Sequence, residues 1–219
     1  GNKISKWISE PDRGEYDATN KALRLATGEI VKWMTDDDLL RHGVFHKAVD
    51  YLDHHPEMDV VFGQTAFWRE TEGEPVFIGT TSATDPSRLS MHYWLRESQG
   101  VTSQASFIRR RVFDRSGPFS TAYVCGDTEF WIRAASKGVS MGLMPDIVLD
   151  YYYTAVGGSA TRSRRVVIDV IRINIRYGTM ADVLDVVYRR LITTSVAYRI
   201  GKLRKALKKV MHPSWRNKE

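Results

Sequence analysis

Thr27-Gly28-Glu29-Ile30-Val31-Lys32-Trp33-Met34-Thr35-Asp36-Asp37-Asp38-Leu39-Leu40 carries a short apolar run straight into three consecutive carboxylates. Neighbouring like charges repel by about 1 kcal/mol at ~4 Å even in bulk water, so the cluster needs something cationic beside it. A strand that delivers three aspartates into a cleft suits a hard divalent cation meeting a phosphate group. An N-cap role, with the carboxylates complementing the dipole of a following helix, accounts for the same residues. The spacing by itself leaves both readings open.

The preceding segment separates them. Trp7-Ile8-Ser9-Glu10-Pro11-Asp12-Arg13-Gly14-Glu15-Tyr16-Asp17-Ala18-Thr19-Asn20-Lys21-Ala22 is followed by Ala26-Thr27-Gly28-Glu29. This run resembles the inverting family-2 glycosyltransferases of GT-A fold. Their members carry a Ser-Glu-Pro-Asp-x-Gly-x-Tyr-Asp-Ala-x-Asn-Lys-Gly stretch, an Ala-x-Gly turn and an x-Asp-Asp metal motif at matching intervals. The resemblance implies an α/β domain with a mostly parallel sheet flanked by helices. Related domains place on the order of 60 residues, about two strand and helix steps at ~30 residues per βαβ unit, before the Ser-Glu-Pro-Asp stretch. The chain is therefore expected to be N-terminally truncated, without the steps that cup the nucleotide base. It also begins with Gly rather than Met, so its natural N-terminus need not be in view.

At 219 residues the chain can hold one α/β domain and an appendage, and 42% apolar with 26% charged content is ordinary for a globular protein. The single cysteine, Cys125, excludes an internal disulfide framework, fits a reducing cytosol, and reads as a buried structural thiol. The net charge of +6 conceals an asymmetry: residues 1–161 hold 17 Lys+Arg against 22 Asp+Glu, and residues 162–219 hold 15 against 4. The division expected is a GT-A-like domain over 1–161 and a basic helical region over 162–219. The longest weakly polar tail stretch, Leu191 to Tyr198, is far below the roughly 20 residues that span a bilayer.

Along the chain, Ile4 to Ser9 reads as a strand. Tyr16, Ala18, Ala22, Leu25 and Ala26 recur at helical spacing, with Gly28 as the C′ residue. Ile30 to Met34 reads as the strand that presents the aspartates at its carboxyl end, where open α/β sheets bind ligands. A helix around Val44 to Leu52 and a buried strand from Asp59 to Gly63 follow. Thr65 to Arg69 and Pro75 to Thr80 flank a Glu-Gly-Glu turn as a hairpin. Residues 80–100 read as a loop with a short helix, and Ser103 to Ile108 as a strand. Arg109-Arg110-Arg111 fits a phosphate grip or a solvated helix start. Asp127 opens a helix over Thr128 to Lys137, closed by Gly138. Strands near Val139 to Met144 and Val148 to Tyr153 precede helices over 162–177 and 180–210.

Sugar transfer from a nucleotide diphosphate needs charge neutralised on the leaving group and a proton removed from the acceptor hydroxyl. The resemblance gives the first task to Asp36 and Asp38, with Asp38 as direct or water-mediated ligand of Mg²⁺ or Mn²⁺ and Asp37 at the penultimate acidic position. Cys125-Gly126-Asp127-Thr128-Glu129-Phe130-Trp131-Ile132-Arg133 resembles the family's segment with an Asp six residues before an Arg. It makes Asp127 the general base and Glu129 the alternative. As an isolated feature, an Asp at a helix start reads as a cap, and it is the resemblance that reverses this. Asp12 and Arg13 stand where relatives approach the nucleotide; a cap and a surface arginine are the structural reading. Ser103-Gln104 replaces a His-Gln pair, leaving Gln104 as a donor contact. Gly157-Gly158-Ser159 resembles a mobile lid, although such a run is a linker in other settings. His42 and His46 have zinc-ligand spacing without a third ligand, and read as a surface helix.

The tail interleaves Arg189, Arg190, Arg199, Lys202, Arg204 and Lys205 with Leu191, Val196, Ile200 and Leu203. A basic amphipathic helix of this kind suits an anionic membrane face. Nucleic acid is disfavoured, because no aromatic platform is interleaved with the charges. The expectation is a cytoplasmic enzyme, peripheral on the inner face of the membrane, moving a sugar from a nucleotide-sugar donor to a glycan or lipid-linked acceptor in cell-surface polysaccharide synthesis. The rivals are a catalytically incomplete fragment or binding module, and a peripheral membrane or RNA-binding protein with structural carboxylates.

Overall fold

A computed structural model describes residues 4–35, 38–81, 85–96, 101–153 and 164–188. The strands are β1 (Ile30–Val31), β2 (Leu39–Leu40), β3 (Val60–Arg69), β4 (Val76–Thr80), β5 (Ser106–Arg109) and β6 (Met141–Tyr153). The helices are α1 (Glu15–Leu25), α2 (Val44–His54), α3 (Met91–Arg96), α4 (Arg111–Ser116), α5 (Gly126–Ser136), α6 (Arg164–Tyr177) and α7 (Met180–Val187). Short 3₁₀ turns occupy Pro86–Leu89 and Ser103–Ala105.

One sheet runs in the order β1-β5-β3-β6-β2, with β4 paired to the far half of β3. The α/β expectation holds, but the sheet is mixed rather than mostly parallel. Only β3 and β6 pair in parallel; β1–β5, β5–β3, β3–β4 and β6–β2 are antiparallel. Two successive antiparallel pairings through β5 leave β1 pointing the same way as β3 and β6. The parallel set expected from strand and helix alternation is therefore present, with β5 inserted into it.

Alternation along β3 divides the core. Val60 and Phe62 face a cluster with Trp94, Phe119, Phe130 and Trp131, whereas Val61 faces Val44, Ala48 and Leu52 of α2 together with Phe107 and Val148. Helices thus cover both faces. Burial of Trp131, Phe62, Phe107 and Phe130 below 2% exposure gives each side a dense aromatic or aliphatic filling.

Several local expectations are corrected. Residues 4–9 form no strand, because no neighbouring described strand offers them a ladder. Helix α1 ends at Leu25 with Ala26 already extended, two residues before Gly28, its last bond running from Ala26 N–H to Ala22 O. The strand before the aspartates stops at Val31, as the chain leaves β5 and turns Lys32 inward. The two strands expected after α5 are one, β6. Between Leu143, opposite Phe62, and Ile147, opposite Gln64, the extra residues include Pro145, which has no N–H to give to a ladder. Gly63 lies opposite this bulge, where any Cβ would overlap the Val148 side chain. The hairpin β3–β4 and the closure of α5 by Gly138, at φ +71°, match the sequence reading.

The arginine triplet does not grip an external anion. Arg109 donates to Met58 O at 3.0 Å and Leu52 O at 2.6 Å, and Arg110 to Ala26 O. Arg111 and Arg115 hold the Asp59 carboxylate at 2.6 and 2.8 Å. These bonds, with the Ser140 N–H, hold the 3% exposed Asp59 below the usual carboxylate range against the opposing effect of burial.

Candidate active site

The site forms where four segments meet beyond the carboxyl end of β1. Because Val31 lies opposite Ile108, the start of β5 and the Ser103–Ala105 turn before it sit at that same edge. Lys32, the first residue after β1, donates to Gln104 O in this turn. Trp33 packs 6.3 Å from Tyr16 of α1 and 5.5 Å from Phe119 in the loop before α5. Strand, turn and both helices thereby share one wall, at the position where parallel strands of α/β sheets bind ligands.

Asp127 lies in the first turn of α5, half-buried. Its Oδ1 accepts the Tyr16 hydroxyl at 3.1 Å, and its Oδ2 accepts the Ser103 hydroxyl at 2.9 Å. Ser103 is fixed in turn by the Trp131 indole N–H, which donates to Oγ at 3.0 Å. The carboxylate is thus oriented from two sides by groups that are themselves held. Burial, followed by the nearby Asp127 charge, pushes the Tyr16 phenol well above its ordinary value, so it stays a donor across the working pH range. Gly126 makes this approach possible: a Cβ there would strike Ser120 O and the Tyr16 ring. Tyr16→Phe keeps the ring and removes one bond to a charged oxygen. Steady-state kinetics are expected to register about a tenfold fall in kcat with little change in KM for the donor. An unchanged kcat would remove Tyr16 from the site.

Asp38 is 7% exposed, and its Oδ2 accepts both the Thr35 N–H at 2.9 Å and the Thr35 hydroxyl at 2.7 Å. It supplies a hard oxygen of the kind Mg²⁺ and Mn²⁺ take, held by one oxygen and presented by the other. Among the described residues, no three His, Cys, Asp or Glu side chains cluster as a metal site. Asp36 and Asp37, which the resemblance adds to the set, lie outside the described residues. A single firm carboxylate fits a metal that draws its other ligands from water and a substrate diphosphate.

Lys32 is the group that the sequence did not flag. Its ammonium stands 5.1 Å over the Phe107 ring, bonded to Gln104 O and, at 3.3 Å, to Trp33 O. Burial lowers it to about 8, partly offset by Asp38. The unfolded chain keeps its proton to about 10.5, so between these values the unfolded state binds more protons and stability rises with pH. Urea unfolding of the wild type is expected to gain on the order of 2 kcal/mol over Lys32→Met between pH 7.5 and 9.5. Parallel stability curves would contradict the burial of a lysine that titrates in that window. Above pH 10 the raised Tyr16 and Tyr177 phenols act in the opposite direction, in both proteins.

The remaining candidates separate. Glu129 is 2% exposed and engaged with Arg133 at 3.0 Å through both oxygens, while its Oε1 also accepts the Tyr177 hydroxyl at 2.6 Å. Asp12 Oδ1 accepts the Gly14 N–H at 2.8 Å, an Asx turn that starts α1. Arg13 pairs with Asp17 at 3.3 Å and lines a groove on another face. Gln104 meets the site through its backbone carbonyl. Gly157, Gly158 and Ser159 lie outside the described residues, as do residues 189–219. Asn20 clamps the loop before α5, donating to Phe119 O at 2.8 Å and accepting from Phe119 N at 2.9 Å. Tyr16, Lys32 and Trp131 were legible only as an aromatic in a motif, an interruption in an apolar strand and a core tryptophan.

Comparison with known proteins bears on this architecture. The curated PGL/p-HBAD biosynthesis glycosyltransferases of Mycobacterium bovis (strain BCG / Pasteur 1173P2) and Mycobacterium tuberculosis (strain ATCC 25177 / H37Ra) are each 28% identical over 149 residues, 67% of this chain and 51% of theirs. The chain spans about half the length of the curated relatives it matches. Staphylococcus aureus TarS 1-349, solved in complex with UDP-GlcNAc, superposes with a TM-score of 0.55 at 14% identity over 80% of this chain and 53% of that one. The mannosyltransferase PcManGT from Pyrobaculum calidifontis, solved with GDP-Man and Mn²⁺, gives a TM-score of 0.51 at 19% identity over 94% and 62%. These two likenesses concern the fold, which is that of GT-A glycosyltransferases. The family model for Glycosyl transferase family 2 matches residues 3–117, more than half of the chain and the part that carries α1, the aspartate segment and the Ser103 turn; the chain belongs to that family.

Proposed function

We propose that this chain transfers a sugar, with inversion at the anomeric carbon, from a nucleotide-diphosphate sugar to a hydroxyl of a glycan or lipid-linked acceptor. The observation that carries the reading is the Asp127 carboxylate, held by Tyr16 and Ser103 on the wall that also bears Asp38. A base must be aimed before it can be strong, and this one is aimed from two sides. Of the two carboxylates on α5, Glu129 is engaged with Arg133 and Tyr177, which leaves Asp127 as the base and favours a single displacement over a covalent intermediate.

In the proposed reaction, the acceptor hydroxyl donates its proton to Asp127 as its oxygen forms a bond to the anomeric carbon. The bond from that carbon to the diphosphate breaks on the opposite side. Asp38, with Asp36 from the same segment, would hold Mg²⁺ or Mn²⁺, which when bound offsets charge on the leaving diphosphate. Lys32 keeps the Asp38 segment fixed to the Ser103 turn, so the two ends of the reaction stay in register. In this reading Asp12 and Gln104 belong to the donor side, residues 157–159 are proposed as its lid, and Arg13 is left to the groove it lines.

The binding step is tested by ligand-induced thermal shift on the full-length protein, with a set of nucleotide-sugars and Mn²⁺. A shift of several degrees with one donor, absent in EDTA, is the result expected. No shift with any donor would sink the transfer reading, and a shift without turnover would favour a binding module.

A membrane-surface location has an observation of its own. Ile168 and Ile175 of α6, and Met180, Leu184 and Tyr188 along and just after α7, are 55–73% exposed beside a strongly basic sequence. Among the described residues, no helix is long and apolar enough to cross a membrane. Apolar side chains flanked by Arg and Lys suit an anionic leaflet, with residues 162–219 as the proposed contact region.

A further inference from the structure

A second concave surface lies behind the wall that carries Asp127. It is a groove of about 560 Å³ between α1, the 118–123 loop and α6. Arg13 and Arg24 contribute from α1 and the turn before it, Arg172 and Arg176 from α6, and Arg133 from α5. Among the described residues, Asp17 and Glu129 are the carboxylates in its lining against five arginines, an excess of three positive charges.

The carboxylates are already engaged, Asp17 by Arg13 and Lys21, Glu129 by Arg133 and the Tyr177 hydroxyl. Arg172 is held by Asp169 at 3.1 Å and lies 5.0 Å over the Tyr123 ring, which aims its remaining N–H groups without discharging it. Arg176 lies 5.5 Å over the Tyr177 ring and has no carboxylate at ion-pair distance among the described residues. Arg24 is exposed, with no bonded partner among the described residues. Ser120 and Thr121 add hydroxyls to the lining. Guanidinium forks from two helices facing a hydroxyl-bearing loop match the several acceptor oxygens of a phosphate group better than a single carboxylate.

We propose that this groove is a binding subsite for a phosphate ester, separate from the donor's diphosphate position. Neither Asp38, Asp127 nor Gln104 lines it. On α5, Glu129 faces the groove while Asp127, two residues earlier and about 200° away around the helix, faces Tyr16. The ligand is held by Arg24 and Arg176 as primary contacts, with Arg172 at the edge. The loop it rests on runs into α5, and Asp169 fixes that loop through the Val124 N–H at 2.7 Å. The ester therefore anchors a larger acceptor or surface beside the base without touching the reacting atoms. Its binding requires neither Asp38 nor turnover, so it stands or falls apart from the transfer reading.

The full-length protein is titrated calorimetrically with inorganic pyrophosphate in EDTA at low salt. Wild type and Asp38→Asn are expected to bind alike. Arg24→Ala/Arg176→Ala should bind at least tenfold more weakly, and so should Thr121→Asp, which keeps every arginine and adds a repelling charge, each with an unchanged circular dichroism spectrum. Affinity within twofold of wild type in both altered-groove proteins, or loss of binding in Asp38→Asn, would overturn the subsite. Two competitors then identify the source of the ester. Displacement of pyrophosphate by phosphatidylglycerol vesicles, and not by phosphatidylcholine, assigns a lipid headgroup. Displacement by a soluble hexose phosphate alone assigns a phosphorylated glycan. Failure of both competitors would contradict a phosphate-ester ligand.

Discussion

Asp127→Asn is expected to lower kcat by about 10³-fold while leaving the fold intact, the middle of the range for loss of a positioned general base. Asparagine is nearly isosteric, and its amide oxygen can still accept from Tyr16 or Ser103, so the local bonds of α5 persist in part. What disappears is the capacity to take a proton from the acceptor hydroxyl. Nucleoside diphosphate release, measured with saturating donor and acceptor, is the readout, with thermal unfolding as the control for folding. A loss below tenfold would mean that the carboxylate only ties α5 to Tyr16 and Ser103. The comparison with Tyr16→Phe is informative here, because that change disturbs orientation while keeping the base.

Asp38→Asn is expected to be the second large effect, a fall of about 10² to 10³-fold in turnover accompanied by a higher Mn²⁺ requirement. The amide can still accept from the Thr35 N–H and hydroxyl, which limits damage to the 32–35 segment. It carries no negative charge, so the proposed metal would lose a ligand charge and the buried Lys32 a nearby carboxylate. Titrating Mn²⁺ separates these consequences. A metal-binding defect is partly overcome by excess Mn²⁺, whereas a purely structural role for Asp38 would leave the metal dependence unchanged.

Much of this architecture was written in short-range sequence signals. The 9–22 stretch and the 125–133 segment combine a turn, helix-phase apolar residues and rare polar residues in fixed order, so they specify both local structure and resemblance. Amphipathic α2 and α5 and the β3–β4 hairpin were legible because one face of each is buried and the period follows from that. Strand direction was not legible. Nothing local in Ser106–Arg109 says that it inserts antiparallel between β1 and β3; that is decided by which edges remain to be paired.

The site was readable in its acids and poorly readable in their supports. Asp127 and Asp38 stand out as charges near element ends, while Tyr16 and Ser103 become significant only when residues 111 and 24 positions away are brought to hydrogen-bond distance. Lys32 stood inside the strand expected over Ile30 to Met34 with nothing to mark it, yet it folds inward over Phe107. The arginines of the second groove are spread from position 13 to 176, and no local spacing rule connects them. Arg109, Arg110 and Arg111 were adjacent and conspicuous, and the fold uses them on its own carbonyls and on Asp59.

In the proposed mechanism Asp127 activates an incoming oxygen for a single displacement at the anomeric carbon. This step is tested most directly by the stereochemistry of the first product, followed by proton NMR on the full-length protein with its donor and Mn²⁺, water serving as acceptor before mutarotation. A newly released sugar of inverted anomeric configuration is expected, formed by the wild type and at least a hundredfold more slowly by Asp127→Asn. A sugar released with retained configuration would contradict the mechanism.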